Sequence, residues 1–443
     1  MRVLIHDDLP PEASAMLQAL YSRSAESVTT HLEKVRERGP DNFMASYYVG
    51  YGHASIGDCG YTTIFAEDIS LLACKAIQDN PLYSGQETST RYIDFSSRKL
   101  VDPVGTSESE AVLDRWMEFY ARAEPRLRGA LAERLTRPAP ASQATWEKAL
   151  AARTFDVLRG FLPAGVTSQT AWTTSLRQAH EHGIRLAAHP LAEVRAVGEG
   201  CLSALRQRYP QSFGHQVSEQ EQAYLAAVAA HETYMPPPGA AEAGVFEMDS
   251  DIDALVLQRE AGELLRSRPR KCLLPRTLGR YGRYRCVFDL DFGSFRDLQR
   301  HRGGLCPMPL LTDQLGLHPW YLDQLPPDLR LEAELLLKQQ KAAVAQLARQ
   351  GVSEPDLQYF QPLGMLVRVE LHYDLPQVVY VAELRSGKTV HPTLREAALR
   401  IGRRLRAAHA GLALYLDESL DQLDWRRGNQ DIIDRYAPER SAA

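Results

Sequence analysis

An ordered set of residues occurs twice in this 443-residue chain, and it limits what the chain can fold into. In the first half a helical stretch is followed by Leu162-Pro163, then Arg185, then His189-Pro190. In the second half a helical stretch is followed by Pro362-Leu363, then Arg385, then His391-Pro392. One such coincidence carries little weight, but an ordered series favours duplication of a supersecondary unit. Two divergent copies of one domain are the expectation, which suits a length too great for a typical single core.

The expected boundary is the Pro-, Gly- and Ala-rich run Pro236 to Gly244, which lacks any helical or strand period. It separates a first domain (1–235) from a linker (236–250) and a second domain (251–443). Residues 2–6 read as a short strand and 13–37 as helix. Ser107 and Glu110 read as a capping box before Val112, Trp116, Phe119 and Tyr120, which share a helical face. Pro138 and Pro140 break that region. A second helix is expected over 328–350, with Gly351 where a C-terminal glycine belongs. The acidic stretch Asp417 to Asp434 carries Trp425-Arg426-Arg427, which reads as docking on the body.

Composition narrows the function. Hydrophobic residues make up 44% and charged residues 24%, with a net charge of −5, so no global basic field points to nucleic acid. Any phosphate must be held by local arginines. The chain opens on MRVLIHDDLPPEA without an apolar core, and no run of 18 apolar residues follows, so a cytoplasmic protein off the membrane is expected. The six cysteines form no CxxC pair and fit no zinc spacing, so reduced thiols are expected and no metal.

Several clusters carry candidate chemistry. Arg300-His301-Arg302, before Gly303-Gly304, reads either as a phosphate-facing donor set or as a solvated helix end. The run Ser84-Gly85-Gln86-Glu87-Thr88-Ser89-Thr90-Arg91-Tyr92 reads as a phosphate-wrapping loop or as a polar turn with a Glu87–Arg91 pair. Gly50-Tyr51-Gly52-His53-Ala54-Ser55 lacks dinucleotide spacing, and its His53 faces a ligand or serves structure. Arg159, Arg185 and Arg385, each taken alone, read as ion-pair partners. The chain carries no serine-hydrolase elbow, HExxH or Walker loop.

Taken in order, these pieces resemble the flavin-dependent thymidylate synthases. That family has an N-terminal Ala-Arg-x-Ser, a Gly-His turn, Arg-His-Arg, a Ser, the run Asn-Glu-x-Ser-x-Arg-Tyr, a Leu-Pro and a later Arg. Here Tyr21-Ser22-Arg23-Ser24, Gly52-His53 with Ser55, Ser84, Gln86 to Tyr92, Arg159 before Leu162-Pro163, and Arg185 occupy those places. The resemblance covers about residues 15–205, with a fainter copy over about 275–410. The first copy has Asp79-Asn80-Pro81 where the family has Arg-His-Arg; the second keeps Arg300-His301-Arg302. The second has Cys306 to Leu311 in place of the Ser-x-Arg run, and Gln358 in place of Arg159. Each copy keeps what the other lacks.

The resemblance implies an α+β (α/β) fold of two thymidylate synthase-complementing-like domains, each a central sheet flanked by long helices. It implies FAD as cofactor, NADPH and methylenetetrahydrofolate as co-substrates, and dUMP or a related pyrimidine nucleotide as substrate. Ser89 and Arg91, with Gln86, Glu87 and Arg159, would hold the nucleotide. Arg185 would hold the uracil edge, with Ser84 close by as the other catalytic residue. Ser24, His53, Ser55, Arg300, His301 and Arg302 would contact FAD, and Arg385 a flavin or the structure. Family members are homotetramers with sites between subunits, so a homodimer acting as a pseudo-tetramer is expected. Each complete site would join the first-half nucleotide loop to the second-half basic segment.

Overall fold

In the computed structural model, residues 4–214, 217–237, 243–419 and 423–429 are described. They form two compact units built from interleaved segments, Met1–Glu87 with Ser168–Thr233, and Thr88–Thr167 with Tyr234–Ala443. The units therefore do not follow a single cut near residue 236. Part of the expected linker, 238–242, lies outside the described residues, and its end is not linker: Phe246–Ser250 is a strand. Phe246 packs on Phe288 at 6.0 Å between ring centroids, and Phe246 and Met248 make the half-buried side of that segment.

The strands among the described residues are β1 (Tyr61–Ser70), β2 (Ser84–Glu87), β3 (Thr167–Ser175), β4 (Phe246–Ser250), β5 (Arg283–Asp291) and β6 (Leu366–Asp374). They make two three-stranded sheets, ordered β1-β3-β2 and β4-β5-β6. β2 runs antiparallel to β3 with Ser84 opposite Thr173. β5 runs antiparallel to β6 with Arg283 opposite Asp374 and Asp291 opposite Leu366. With the helices around them this is an α+β arrangement.

The duplication is visible in the caps. β1 leads into helix Leu71–Gln78 and β5 into helix Phe292–Leu298. The caps are Ser70, accepting from Ala73 N, and Asp291, accepting from Ser294 N. β3 leads into helices Leu176–Ala187 and Ala192–Arg208, and β6 into Leu375–Arg385 and Pro392–Ala408. Their caps are Ser175 and Asp374. The first copy thus caps with serine where the second caps with aspartate.

Within the second unit the two repeated Leu/Pro segments meet. Gly165 N donates to Tyr359 O at 2.9 Å, and Gly364 N donates to Gly160 O at 3.0 Å. Ala164 N donates to Gln361 O and Leu363 N to Leu162 O, both at 2.9 Å. One correspondence (Gly160 with Tyr359, Leu162 with Gln361, Ala164 with Leu363, Gly165 with Gly364) maps each bond onto its counterpart. That is the signature of an isologous, two-fold contact, here inside one chain. Helices Ser107–Arg134 and Pro327–Arg349 pack on each other in the same unit. Trp116 Nε1 donates to Phe360 O at 3.0 Å across the junction.

Other expectations shift locally. Residues 4–6 are not strand, and 1–3 lie outside the described residues. The helix expected over 13–37 is two helices, Pro11–Tyr21 and Val28–Arg38, because Ser27 caps a new start by accepting from Thr29 N. The capping box before helix Ser107–Arg134 uses Thr106 and Ser109, one residue earlier than expected. Gly351 takes φ 94° after helix Pro327–Arg349, as a C-terminal glycine should. No helix among the described residues is long and apolar enough to cross a membrane.

Candidate functional site

The residues singled out in the sequence divide between the units. In the first unit, Ser84 and Gln86 stand exposed on β2. Gly85 between them is required by close approach, since a Cβ there would sit 1.9 Å from Ala171 O on β3. Glu87 accepts from Gln78 Nε2 at 2.7 Å. Arg185 is exposed in the last turn of helix Leu176–Ala187. His53 is exposed, with Nδ1 3.3 Å from Arg23 Nη2. Ser24 Oγ accepts from Glu26 N at 3.1 Å, and Ser55 is exposed. The turn at Gly50 ends a π-helix, Met44–Gly50, along which Phe43, Tyr47 and Tyr51 stack at 4.9 and 5.8 Å.

In the second unit the structure brings first-copy residues Arg91 and Arg159 together with second-copy residues Asp297, His301 and Arg385. Ser89 Oγ accepts from Arg91 N at 3.3 Å, which shapes the loop. Arg91 binds Asp156 on helix Gln143–Leu158 through two bonds, Nε to Oδ1 at 2.6 Å and Nη2 to Oδ2 at 3.3 Å. Its Nη1 donates to Thr389 O at 3.1 Å. Asp156 is fully buried and is gripped from its other side by Arg427. The Trp425-Arg426-Arg427 expectation thus has a specific form: Arg427 enters the protein and Arg426 stays outside.

Burial opposes ionisation of Asp156, but Arg427 and Arg91 outweigh it and hold the carboxyl well below its ordinary value. A depressed carboxylate contributes stability above its unfolded pKa, near ~3.9, and loses it as pH falls through and below that value. We therefore expect unfolding free energy to fall steeply with acid below about pH 4. The Asp156→Asn variant should show a shallower acid limb in urea titrations at successive pH values; an unchanged limb would mean another group controls it.

Arg159 sits at the end of the same helix, buried in a ring of second-copy acceptors. Its Nη2 donates to Ser294 Oγ at 2.8 Å and lies 3.6 Å from Asp291 Oδ2, while Nη1 lies 3.5 Å from Asp297 Oδ2. Asp291 also accepts from Tyr321 Oη at 2.8 Å and from Thr393 Oγ1. His391 Nε2 meets Asp156 O at 3.1 Å, and burial keeps this imidazole neutral. Asp297 is opposed by burial but held down to about 2 by Arg159, Arg300 and Arg385.

The Arg-His-Arg segment splits by residue. Arg385 Nε donates to His301 Nε2 at 2.7 Å, so that nitrogen is an acceptor and the ring proton sits on Nδ1. Burial, then the Arg385 charge, lowers His301 to about 3. Arg385 Nη2 donates to Asp297 O at 2.7 Å. Arg385 therefore braces the segment. Arg300 is exposed and Arg302 half-buried. Gly304 does not open the backbone to a ligand: a Cβ there would lie 2.4 Å from His372 O on β6. In the second copy, Gln358 Oε1 accepts from Leu311 N at 3.0 Å, and Leu310 and Leu311 are buried. Apolar packing thus fills the surroundings of Gln358, which stands where the first copy has Arg159.

Sequence reasoning missed Asp156, Asp291, Asp297, Tyr321 and Thr393, and had His391 only as a member of the repeat. Asp291 alone carried a local signal, a capping aspartate three residues before Ser294.

Residues 4–211 match the family described as thymidylate synthase complementing protein. A UPF0159 protein of Chlamydia muridarum is 24% identical over 426 residues, covering 83% of this chain and 78% of the relative. A UPF0159 protein of Chlamydia pneumoniae is 22% identical over 435 residues, covering 86% and 81%. A UPF0159 protein of Thermoplasma acidophilum is 30% identical over 129 residues, covering 29% and 26%.

Proposed function

We propose that this chain is a thymidylate synthase of the flavin-dependent kind, converting dUMP to dTMP with methylenetetrahydrofolate and NADPH. The observation that carries this reading is the Arg91–Asp156–Arg427 triad. It holds two guanidiniums against one carboxylate, and of the three side chains only Arg91, 13% exposed, reaches solvent appreciably. The surplus positive charge therefore faces outward on the Ser89–Arg91 loop, where a phosphate would be received. Ser89 and Arg91 hold that phosphate, with Arg159 fixing the helix end behind them. Gln86 and Glu87 would line the nucleotide, Arg185 the uracil edge, and Ser84 a position beside the ring.

The donor chemistry fits FAD in part. Arg300 and Arg302 suit its pyrophosphate, and Ser24, His53 and Ser55 offer exposed polar groups; His301 is bonded inward and acts through the segment's conformation. When bound, FAD would supply the hydride that completes the methyl group. The protein's own part is to bind the nucleotide, orient its ring and stabilise charge there. The proposed assembly is a homodimer.

Arg185→Ala should abolish dTMP formation while leaving flavin bound, read by product analysis beside the visible spectrum. Activity that survives would remove Arg185 from the site. A second reading, a nucleotide- or flavin-binding duplicate without catalysis, is favoured by the inward-bonded His301. A related pyrimidine nucleotide in place of dUMP is favoured by Gln86, one methylene longer than the family's Asn.

A further inference from the structure

Arg427 belongs to no motif of the resemblance, yet it is buried and bonded to the carboxylate that holds Arg91. The segment Trp425–Asn429 that delivers it docks closely. A Cβ at Gly428 would lie 1.9 Å from Thr145 O, so only glycine lets the segment lie flat on helix Gln143–Leu158. Thr145 Oγ1 donates to Asn429 Oδ1 at 3.3 Å, and the Arg427 guanidinium lies 5.0 Å from the Tyr92 ring centroid.

We propose that Arg427 is a positioning residue for the phosphate site: by neutralising Asp156 from behind, it frees Arg91 to be shared with a bound phosphate. This rests on the nucleotide reading above. A fully buried carboxylate without a cation is costly. With Asp156 gripped by Arg427, Arg91 can turn its charge toward an incoming anion at little cost. Without Arg427, Asp156 depends on Arg91 alone, and a phosphate must compete with a buried carboxylate for the same fork. Arg427 touches no ligand in this scheme; it acts through Asp156.

Two readouts test this. One is the rate at which phenylglyoxal modifies Arg91, followed by peptide mass spectrometry without any ligand. The other is dUMP affinity by calorimetry. Arg427→Gln should slow Arg91 modification and weaken dUMP binding, each by about tenfold, within the usual range of coupling between neighbouring sites. Arg427→Lys, which keeps the charge, should restore much of both. Modification that is unchanged or faster in Arg427→Gln would overturn the proposal, because the segment would then be no more than a cover. Equal behaviour of the Lys and Gln variants would overturn it too. If modification follows the expected pattern while wild-type protein binds no dUMP, the nucleotide reading fails and the control of Arg91 by Arg427 stands.

Discussion

Replacing Asp156 with Asn is expected to destabilise the second unit by about 3–5 kcal/mol, the cost of stranding buried charge. Arg91 and Arg427 both spend their forks on this carboxylate, and Asp156 is 0% exposed. The neutral amide leaves two guanidiniums facing each other and presents an NH2 group where both need an acceptor. For a unit of this size the loss corresponds to a fall of about 10 °C in midpoint. Urea unfolding followed by circular dichroism measures it. The double variant Asp156→Asn, Arg427→Gln should recover part of the loss, because it removes one stranded cation. A loss under about 1 kcal/mol, the range of surface pairs, would mean the triad is solvated.

The second large effect is expected at Trp116. Its side chain is 1% exposed, and its indole N–H reaches Phe360 O in the other copy. Trp116→Ala removes a large buried ring and leaves that carbonyl without its donor. The expected cost is about 3–5 kcal/mol. Trp116→Phe separates the terms, since it keeps most of the volume and loses only the hydrogen bond, about 1–2 kcal/mol. Denaturant midpoints for the pair give both numbers. Equal losses would place the whole effect in the hydrogen bond and none in packing.

Local signals in the sequence were largely legible. Helix Pro327–Arg349, its closing Gly351, the break around Pro138 and the repeated Leu/Pro segments all depend on residues within a few positions of one another. The repeat carried further: the two Leu/Pro segments pair with each other at the two-fold contact itself. The misplacements are also local. Thr106 and Ser109 offer the same capping chemistry as Ser107 and Glu110, and only the backbone geometry decides between them. Phe246–Ser250 lay hidden beside a Pro-rich run because its partner β5 is far along the chain.

The site was half legible for a related reason. Arginines in a recognisable order stand out; their counterions do not. Asp156 is one acidic residue on an ordinary helix, and its meaning depends on Arg91 and Arg427, 65 and 271 positions away. Asp297 and His391 gain their roles in the same way. His301, read as a flavin contact, and Arg385, read as serving a flavin or the structure, are each other's partner. Spacing in a sequence cannot separate a cation that awaits a ligand from one already paired.

The most direct test of the central claim is product formation. Purified protein loaded with FAD is incubated with dUMP, methylenetetrahydrofolate and NADPH, and the nucleotide pool is read by mass spectrometry. The proposed function predicts dTMP, formed by wild type and lost in Arg91→Gln. Unchanged dUMP over flavin-loaded wild-type protein, or undiminished dTMP from the Arg91 variant, would contradict it.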